Sequence, residues 1–187
     1  DPPTMGHVWV IRQALNMFDK VYIAIGLNSE KNSTFDVEDR ICMIKNAFPD
    51  EPKIEVISFR SEFLVNVCRQ NNIGVSIRGI RNVKDFEYEK QIQDINERIN
   101  PNVQTVYLVP PNELAGLSSS MVKGLVGFSE WQFVVKDLIP KGNLSFLMKR
   151  AYPSDKMLEA LDNGGYHIAG VRLSKSNIDY IVRQYNE

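Results

Sequence analysis

The sequence is poor in cysteine and histidine and has no strong excess of charge of either sign. Its 187 residues include two cysteines, Cys42 and Cys68, and two histidines, His7 and His167. Two cysteines without metal-ligand spacing argue against a disulfide framework or a zinc site. Both fall in apolar runs, so we expect both to be buried. The net charge of −1 argues against broad electrostatic binding of nucleic acid, and no nucleic-acid partner is expected.

Long hydrophobic runs are also missing. No apolar stretch approaches the roughly 18 to 20 residues that a transmembrane helix needs, and no secretory leader is recognisable. We therefore expect a cytoplasmic protein with no membrane partner. Apolar residues still make up 43% of the chain, which is enough for one domain with a real core and a small appendage.

Strand and helix patterns alternate along most of the chain. Short connections between them predict an α/β fold, with a mostly parallel sheet flanked by helices. Such a sheet binds ligands at the carboxyl ends of its strands. The first strand is apolar throughout and is predicted to be buried, while the second alternates and is predicted to lie nearer an edge. The predicted strands are 21–27, 53–59, 75–79 and 105–110, and the predicted helices are 6–18, 36–48, 61–72, 83–98 and 119–126.

The two ends of the chain depart from this pattern. A helix pattern follows Asp1 almost at once, so we expect a first strand upstream of residue 1. After residue 128 the sequence predicts two short helices broken at 140–142, a helix over 154–162, a short strand within 166–173 and a last helix to about 185. We therefore expect a main domain over 1–150 and a small α-rich C-terminal extension over 151–187, in which no functional motif is recognisable.

The first chemical candidate is the tetrapeptide from Thr4 to His7. A glycine at position 6 allows close approach of a ligand to the backbone. The free N–H groups and positive dipole end of a helix N-terminus suit a phosphate, and His7 could donate a hydrogen bond to a phosphoryl oxygen. The plainer interpretation is an ordinary polar residue at the start of a helix.

The second candidate is Arg78-Gly79-Ile80-Arg81, which follows a predicted strand. Two guanidinium groups around a glycine make a good clamp for a polyphosphate. The acidic residues of the next segment, Asp85 to Glu89, could be dipole partners of a helix, could hold an arginine in position, or could bind a sugar hydroxyl.

Two further candidates are weaker on their own. Ser118, Ser119 and Ser120 stand at a predicted strand-to-helix junction, where hydroxyl groups either cap the helix or bind a phosphate. Lys31 follows the first strand in a loop, where a lysine is usually solvated. His167 is interpreted as structural or as a surface residue.

Taken in this order, the motifs resemble the bacterial-type phosphopantetheine adenylyltransferases of the nucleotidyltransferase superfamily. The stretch RGIRNVKDFEYE from Arg78 to Glu89 is the most specific part, and the resemblance runs from Asp1 to about Lys149. It implies a Rossmann-like fold and transfer of AMP from ATP to 4′-phosphopantetheine on the route to coenzyme A. It further implies Mg²⁺ carried in on ATP and a homo-oligomer, commonly a hexamer.

The resemblance also implies roles for individual residues. The catalytic set would be His7, Lys31 and Arg81. The residues that bind ATP would be Gly6, His7, Arg78, Gly79, Arg81, Glu89, Ser118, Ser119 and Ser120. Those that bind phosphopantetheine would be Lys31, Phe63, Leu64, Arg78 and Asn96. No protein ligand to a metal is expected.

Two departures from the family pattern and two alternatives stand beside this interpretation. The family's G-(S/T)-F-D-P begins upstream of Asp1, and Leu114 stands where some members carry a tryptophan near the adenine. The first alternative is another nucleotidyltransferase of the superfamily, with nicotinamide mononucleotide or a polyol phosphate as acceptor. The second is a non-catalytic nucleotide-sensing module whose C-terminal tail contacts a partner. The Arg78–Glu89 stretch favours phosphopantetheine.

Overall fold

A computed structural model describes residues 1–27, 33–128 and 130–151, and the backbone of 166–168 and 171–173. Lys31 and the predicted helices over 154–162 and to about 185 lie outside the described residues. The elements, in chain order, are α1 Met5–Met17, β1 Val21–Leu27, α2 Val37–Ala47, β2 Ile54–Arg60, α3 Leu64–Gln70, β3 Val75–Gly79, α4 Val83–Ile99, β4 Gln104–Leu108, α5 Asn112–Ala115, α6 Ser119–Leu125, α7 Trp131–Val135, α8 Leu144–Ala151, β5 Tyr166–Ile168 and β6 Val171–Leu173.

These elements confirm the predicted α/β pattern as far as residue 151. All four predicted strands and all five predicted helices are present with small shifts at their ends, and α7 and α8 flank the predicted break. The short helix α5 was not predicted. The C-terminal segment predicted as one strand is a pair of short antiparallel strands, β5 and β6. Local signals place the helix starts: the Asp36 side chain accepts from the Asp39 N–H at the start of α2, as N-cap residues do.

The four main strands form two parallel pairs. β1 pairs with β2 from Val21 opposite Ile54, and β3 pairs with β4 from Val75 opposite Gln104. Among the described residues, no ladder joins the two pairs. Both strands of a two-stranded pair are edge strands, so β2 lies at an edge as predicted, but β1 does so as well.

A cleft of about 950 Å³ lies between the two strand pairs. Four consecutive residues of β1, from Val21 to Ala24, line it. Side chains alternate between the two faces of a strand, so a run of consecutive residues means that the edge of β1 itself borders the cleft. This opening makes the prediction of a buried β1 wrong for most of the strand, since Ala24 is exposed and only Ile25 is buried. The strand expected upstream of residue 1 stays a prediction.

The largest apolar cluster includes the helices that follow the cleft-lining region. Trp131 and Val135 of α7 and Leu147 of α8 pack with Met43 of α2 and with Val122 of α6, and all five are almost fully buried. Residues 131–151 therefore belong to the main core. The division into domains at residue 150 stays a prediction.

The cysteine prediction is half right. Cys68 is buried beside Val65 and Val103, whereas Cys42 is exposed. Met43 and Ile44 of α2 face the core instead, and successive residues of a helix point about 100° apart, which turns Cys42 outward. None of the helices in the described ranges is both long and apolar enough to cross a membrane.

Helix α1 approaches β3 so closely that a glycine is required at the contact. A Cβ atom at Gly79 would lie 2.9 Å from Cγ2 of Val10, whereas a Cβ atom at Gly74, just before the same strand, would meet no atom within 4 Å. The position of α1 over the end of β3 therefore depends on the missing side chain of Gly79.

We expect Gly79→Ala to lower the free energy of unfolding by about 1–3 kcal/mol, because the added methyl group overpacks the α1–β3 contact. Urea denaturation measures the effect, and Gly74→Ala is the matched control, with little expected change. Adding Val10→Ala to Gly79→Ala should recover part of the loss. Equal stability of the two glycine variants would show that the contact is not tight.

Candidate active site

The structure brings all nine of the predicted ATP-binding residues to the wall of the cleft: Gly6, His7, Arg78, Gly79, Arg81, Glu89, Ser118, Ser119 and Ser120. Gly79 ends β3, and His7 lies in the first turn of α1. Leu114, at the position of the family's tryptophan, also lines the cleft. Groups from distant parts of the chain thus meet at the carboxyl end of β3, which is where a parallel sheet offers a site.

The other predicted site residues are not part of this wall. Phe63 precedes α3 and is 55% exposed. Leu64 packs against the cluster around Val65, and Asn96 is buried on α4. None of these three lines the cleft, so their contact with the pantetheine arm stays a prediction. Lys31 lies outside the described residues.

His7 is held by the residue that precedes α1. The backbone N–H of Thr4 donates to Nδ1 of His7 at 3.1 Å, and the Thr4 hydroxyl lies 2.8 Å from the same atom. A backbone N–H can only donate, so Nδ1 must accept and the proton of the neutral ring is on Nε2. Thr4 is 1% exposed, which keeps this anchor fixed. The arrangement leaves Nε2–H as a hydrogen-bond donor.

The surroundings of His7 favour its neutral form. The ring lines the cleft, and enclosure by protein, together with the nearby Arg81, lowers the pKa of His7 below its ordinary value of 6.5. The ring is therefore neutral at pH 7.

Arg81 is held by two parts of the chain. Its Nε and NH2 groups donate to the two carboxylate oxygens of Asp85 at 2.8 and 3.1 Å, and NH1 donates to the carbonyl oxygen of Leu117 at 3.2 Å. The hydrogen bonds from Arg81 hold the pKa of Asp85 below its usual value, so this carboxylate is ionised at neutral pH. Arg81 therefore joins the start of α4 to the residue before the serine run.

Arg78 has a similar acidic neighbour. Its Nε lies 3.4 Å from Oε2 of Glu89, one turn further along α4 than Asp85. Both arginines of the predicted clamp therefore line the cleft, and the guanidinium of each is paired with a carboxylate. Sequence reasoning considered that acidic residues of this segment could hold an arginine, and the geometry confirms that use for Asp85.

The serine run has structural roles of its own. The Ser118 hydroxyl accepts from the N–H of Met121 and caps α6, and the Ser119 hydroxyl donates to the carbonyl oxygen of Pro2 at 2.7 Å. The carboxylate of Asp1 accepts from the N–H groups of Thr34 and Phe35. Sequence reasoning missed these contacts of Asp1 and Pro2, because their partners are far away along the chain.

The described residues contain no group of three or more histidine, cysteine, aspartate or glutamate side chains that could hold a metal ion. Within the described part of the cleft wall the acidic residues are Asp85 and Glu89, and each is paired with an arginine. The donor set thus suits phosphate groups and does not suit a metal bound directly by protein carboxylates.

Comparison with known proteins decides the family. Residues 1–125 match the family model described as cytidylyltransferase-like. A phosphopantetheine adenylyltransferase of Neisseria meningitidis serogroup C is 43% identical over 144 residues, which cover 75% of this chain and 83% of that protein. The chain belongs to the phosphopantetheine adenylyltransferase family.

Members from two further bacteria agree with this assignment. The protein of that name from Chromobacterium violaceum is 38% identical over 75% of this chain and 86% of its own length. The one from Bacteroides fragilis is 39% identical over 76% of this chain and 91% of its own length. The predicted family and the predicted Rossmann-like α/β class are both confirmed.

The pKa of His7 predicts a loss of stability in acid. The unfolded chain takes up a proton at this ring near its ordinary pKa of 6.5 and the folded chain only at a lower pH, so protonation favours unfolding and stability falls as the pH drops below about 6.5. We expect His7→Gln, which cannot titrate, to lose less thermal stability between pH 7 and pH 4 than the unmodified chain, by roughly a few degrees. Melting curves across this range provide the measurement.

The unmodified chain, melted in the same series of buffers, is the reference for this difference. A His7→Gln variant with the same acid loss as the unmodified chain would mean that the folded environment does not disfavour the imidazolium.

Proposed function

We propose that this chain transfers AMP from ATP to 4′-phosphopantetheine, giving dephospho-coenzyme A and pyrophosphate. Membership of the phosphopantetheine adenylyltransferase family carries the proposal. The convergence of His7, Arg78, Arg81 and the serine run on one cleft supports it.

The chemistry of this reaction needs positioning more than acid–base catalysis. An oxygen of the phosphopantetheine phosphate attacks the α-phosphorus of ATP in line, forming a new P–O bond. The bond from the α-phosphorus to the bridging oxygen breaks, and that oxygen leaves on pyrophosphate with its electron pair. The nucleophile is already an anion, so no strong base is required. The protein must instead bring together two polyanions that repel each other and stabilise the charge that develops on the leaving group.

Each described group of the polar wall suits one part of this task. The Nε2–H of His7 donates to an oxygen at the reacting phosphorus as its charge grows, and the neutral ring is not consumed in the reaction. The guanidinium groups of Arg78 and Arg81 offset the charge of the phosphates. His7 is a poor candidate for a nucleophile, because Nδ1 is engaged by Thr4 and Nε2 carries the proton. Lys31 is proposed as a further phosphate contact.

Magnesium is proposed to enter the cleft bound to ATP. Bound there, Mg²⁺ would neutralise part of the phosphate charge and be held mainly by phosphate oxygens and water. The pairing of Asp85 and Glu89 with arginines supports this arrangement, since neither carboxylate is left over as a ligand. Assembly into a hexamer, a cytoplasmic location and the absence of a nucleic-acid partner stay predictions.

The acceptor is tested by incubating the full chain with ATP and Mg²⁺ and measuring the pyrophosphate that is released with each candidate acceptor. We expect release with 4′-phosphopantetheine and none above the acceptor-free background with nicotinamide mononucleotide or glycerol 3-phosphate. Release with one of the other acceptors would replace the proposed substrate. No release with any acceptor, from folded protein that binds ATP in calorimetry, would favour a nucleotide-sensing module.

The role of His7 is tested separately. We expect His7→Ala to lower kcat by about 10²- to 10³-fold, the usual loss when one donor to a developing charge is removed, while ATP affinity in calorimetry changes less. His167→Ala is the matched control and should keep normal turnover. Unchanged kcat in folded His7→Ala protein would remove His7 from the reaction.

A further inference from the structure

We propose that Asp85 is a positioning residue, which holds the guanidinium of Arg81 in the orientation that receives the phosphates of the bound nucleotide. The proposal rests on the proposed function and assigns a role to a residue that does not itself need to touch the substrate.

The contact between the two side chains fixes both distance and angle. Each carboxylate oxygen of Asp85 accepts from a different nitrogen of Arg81, at 2.8 and 3.1 Å, and the backbone N–H of Arg81 donates to the same carboxylate at 3.2 Å. Two parallel N–H···O bonds hold a guanidinium in one plane, which a single contact does not. Asp85 is fixed in turn, because its own N–H donates to the Asn82 side chain at the start of α4.

The pairing leaves Arg81 with capacity for a ligand. A guanidinium has five N–H donors, and three of those of Arg81 are used, two by Asp85 and one by the Leu117 carbonyl. Two donors remain, one on each terminal nitrogen, and Arg81 lines the cleft. Asp85 therefore fixes the orientation of the Arg81 side chain without using all of its N–H donors, which is the arrangement that a pre-oriented phosphate contact requires.

An ion pair further along α4 shows what an ordinary surface contact looks like. Lys90 and Asp94 have the same four-residue spacing, but the contact joins one nitrogen to one oxygen. Their side chains are 46% and 53% exposed, against 35% and 23% for Arg81 and Asp85. Exposed pairs of that kind contribute little, and neither residue lines the cleft. This pair therefore provides a matched control.

A double-mutant cycle in the full chain separates positioning from a general structural role. The variants are Asp85→Ala, Arg81→Ala and both together, with kcat/KM for ATP as the main readout and melting temperature as the check on folding. We expect Asp85→Ala to lower kcat/KM by about tenfold or more in the unmodified background. In the Arg81→Ala background the same change should have almost no effect, because the group that Asp85 orients is gone.

A conservative variant and the control pair complete the design. Asp85→Asn keeps the size of the side chain but cannot accept two N–H bonds in parallel, so it should reproduce most of the loss even if Asp85→Ala folds poorly. Asp94→Ala should leave kcat/KM unchanged in both backgrounds. An equal loss from Asp85→Ala with and without Arg81, or full activity of Asp85→Asn, would overturn the proposal.

Failure of the proposed function gives a different result. In that case the unmodified chain releases no pyrophosphate with 4′-phosphopantetheine, and the cycle is then measured on ATP binding by calorimetry. Coupling between Asp85 and Arg81 in ATP affinity would uphold the positioning role at the nucleotide site. Independent, additive losses in affinity would overturn it.

Discussion

The arrangement of the cleft depends on helix α1, which packs against both β1 and β3. Val10 of α1 lies so close to Gly79, at the end of β3, that a Cβ atom on this glycine would be 2.9 Å from Cγ2 of Val10. The N–H of Met5 donates to the Leu138 carbonyl beyond α7. The helix that carries His7 is thus fixed at the same end at which Arg78 and Arg81 leave β3.

Charge in the cleft is balanced before any ligand arrives. Two arginines that face one space repel each other, and the carboxylates of Asp85 and Glu89 offset that repulsion by pairing with one arginine each. A polyphosphate that enters must share the guanidinium groups with these carboxylates, which favours ligands with several negative charges over those with one. The neutral form of His7 adds a hydrogen-bond donor to this wall without adding a further cation.

Much of the fold and of the polar wall could be predicted because the signals are local. Strand and helix periods extend over a few residues, and Arg78 to Arg81 directly follow a strand whose end is recognisable in the sequence. Long-range contacts could not be predicted. The hydrogen bond from Ser119 to the Pro2 carbonyl joins residues 117 positions apart, and no local sequence pattern predicts it. The exposure of Ala24 depends on what pairs with the inner edge of β1, and the outward turn of Cys42 depends on which face of α2 meets the core. The assignment of Phe63, Leu64 and Asn96 came from the family resemblance alone.

The hydrogen bond that sets the tautomer of His7 comes from the backbone of Thr4 and not from its side chain. Every amino acid except proline carries a backbone N–H, so most substitutions at position 4 would still place an N–H opposite Nδ1. The donor at Nε2 is therefore secured by the path of the chain, and the identity of residue 4 contributes the second contact, from the Thr4 hydroxyl.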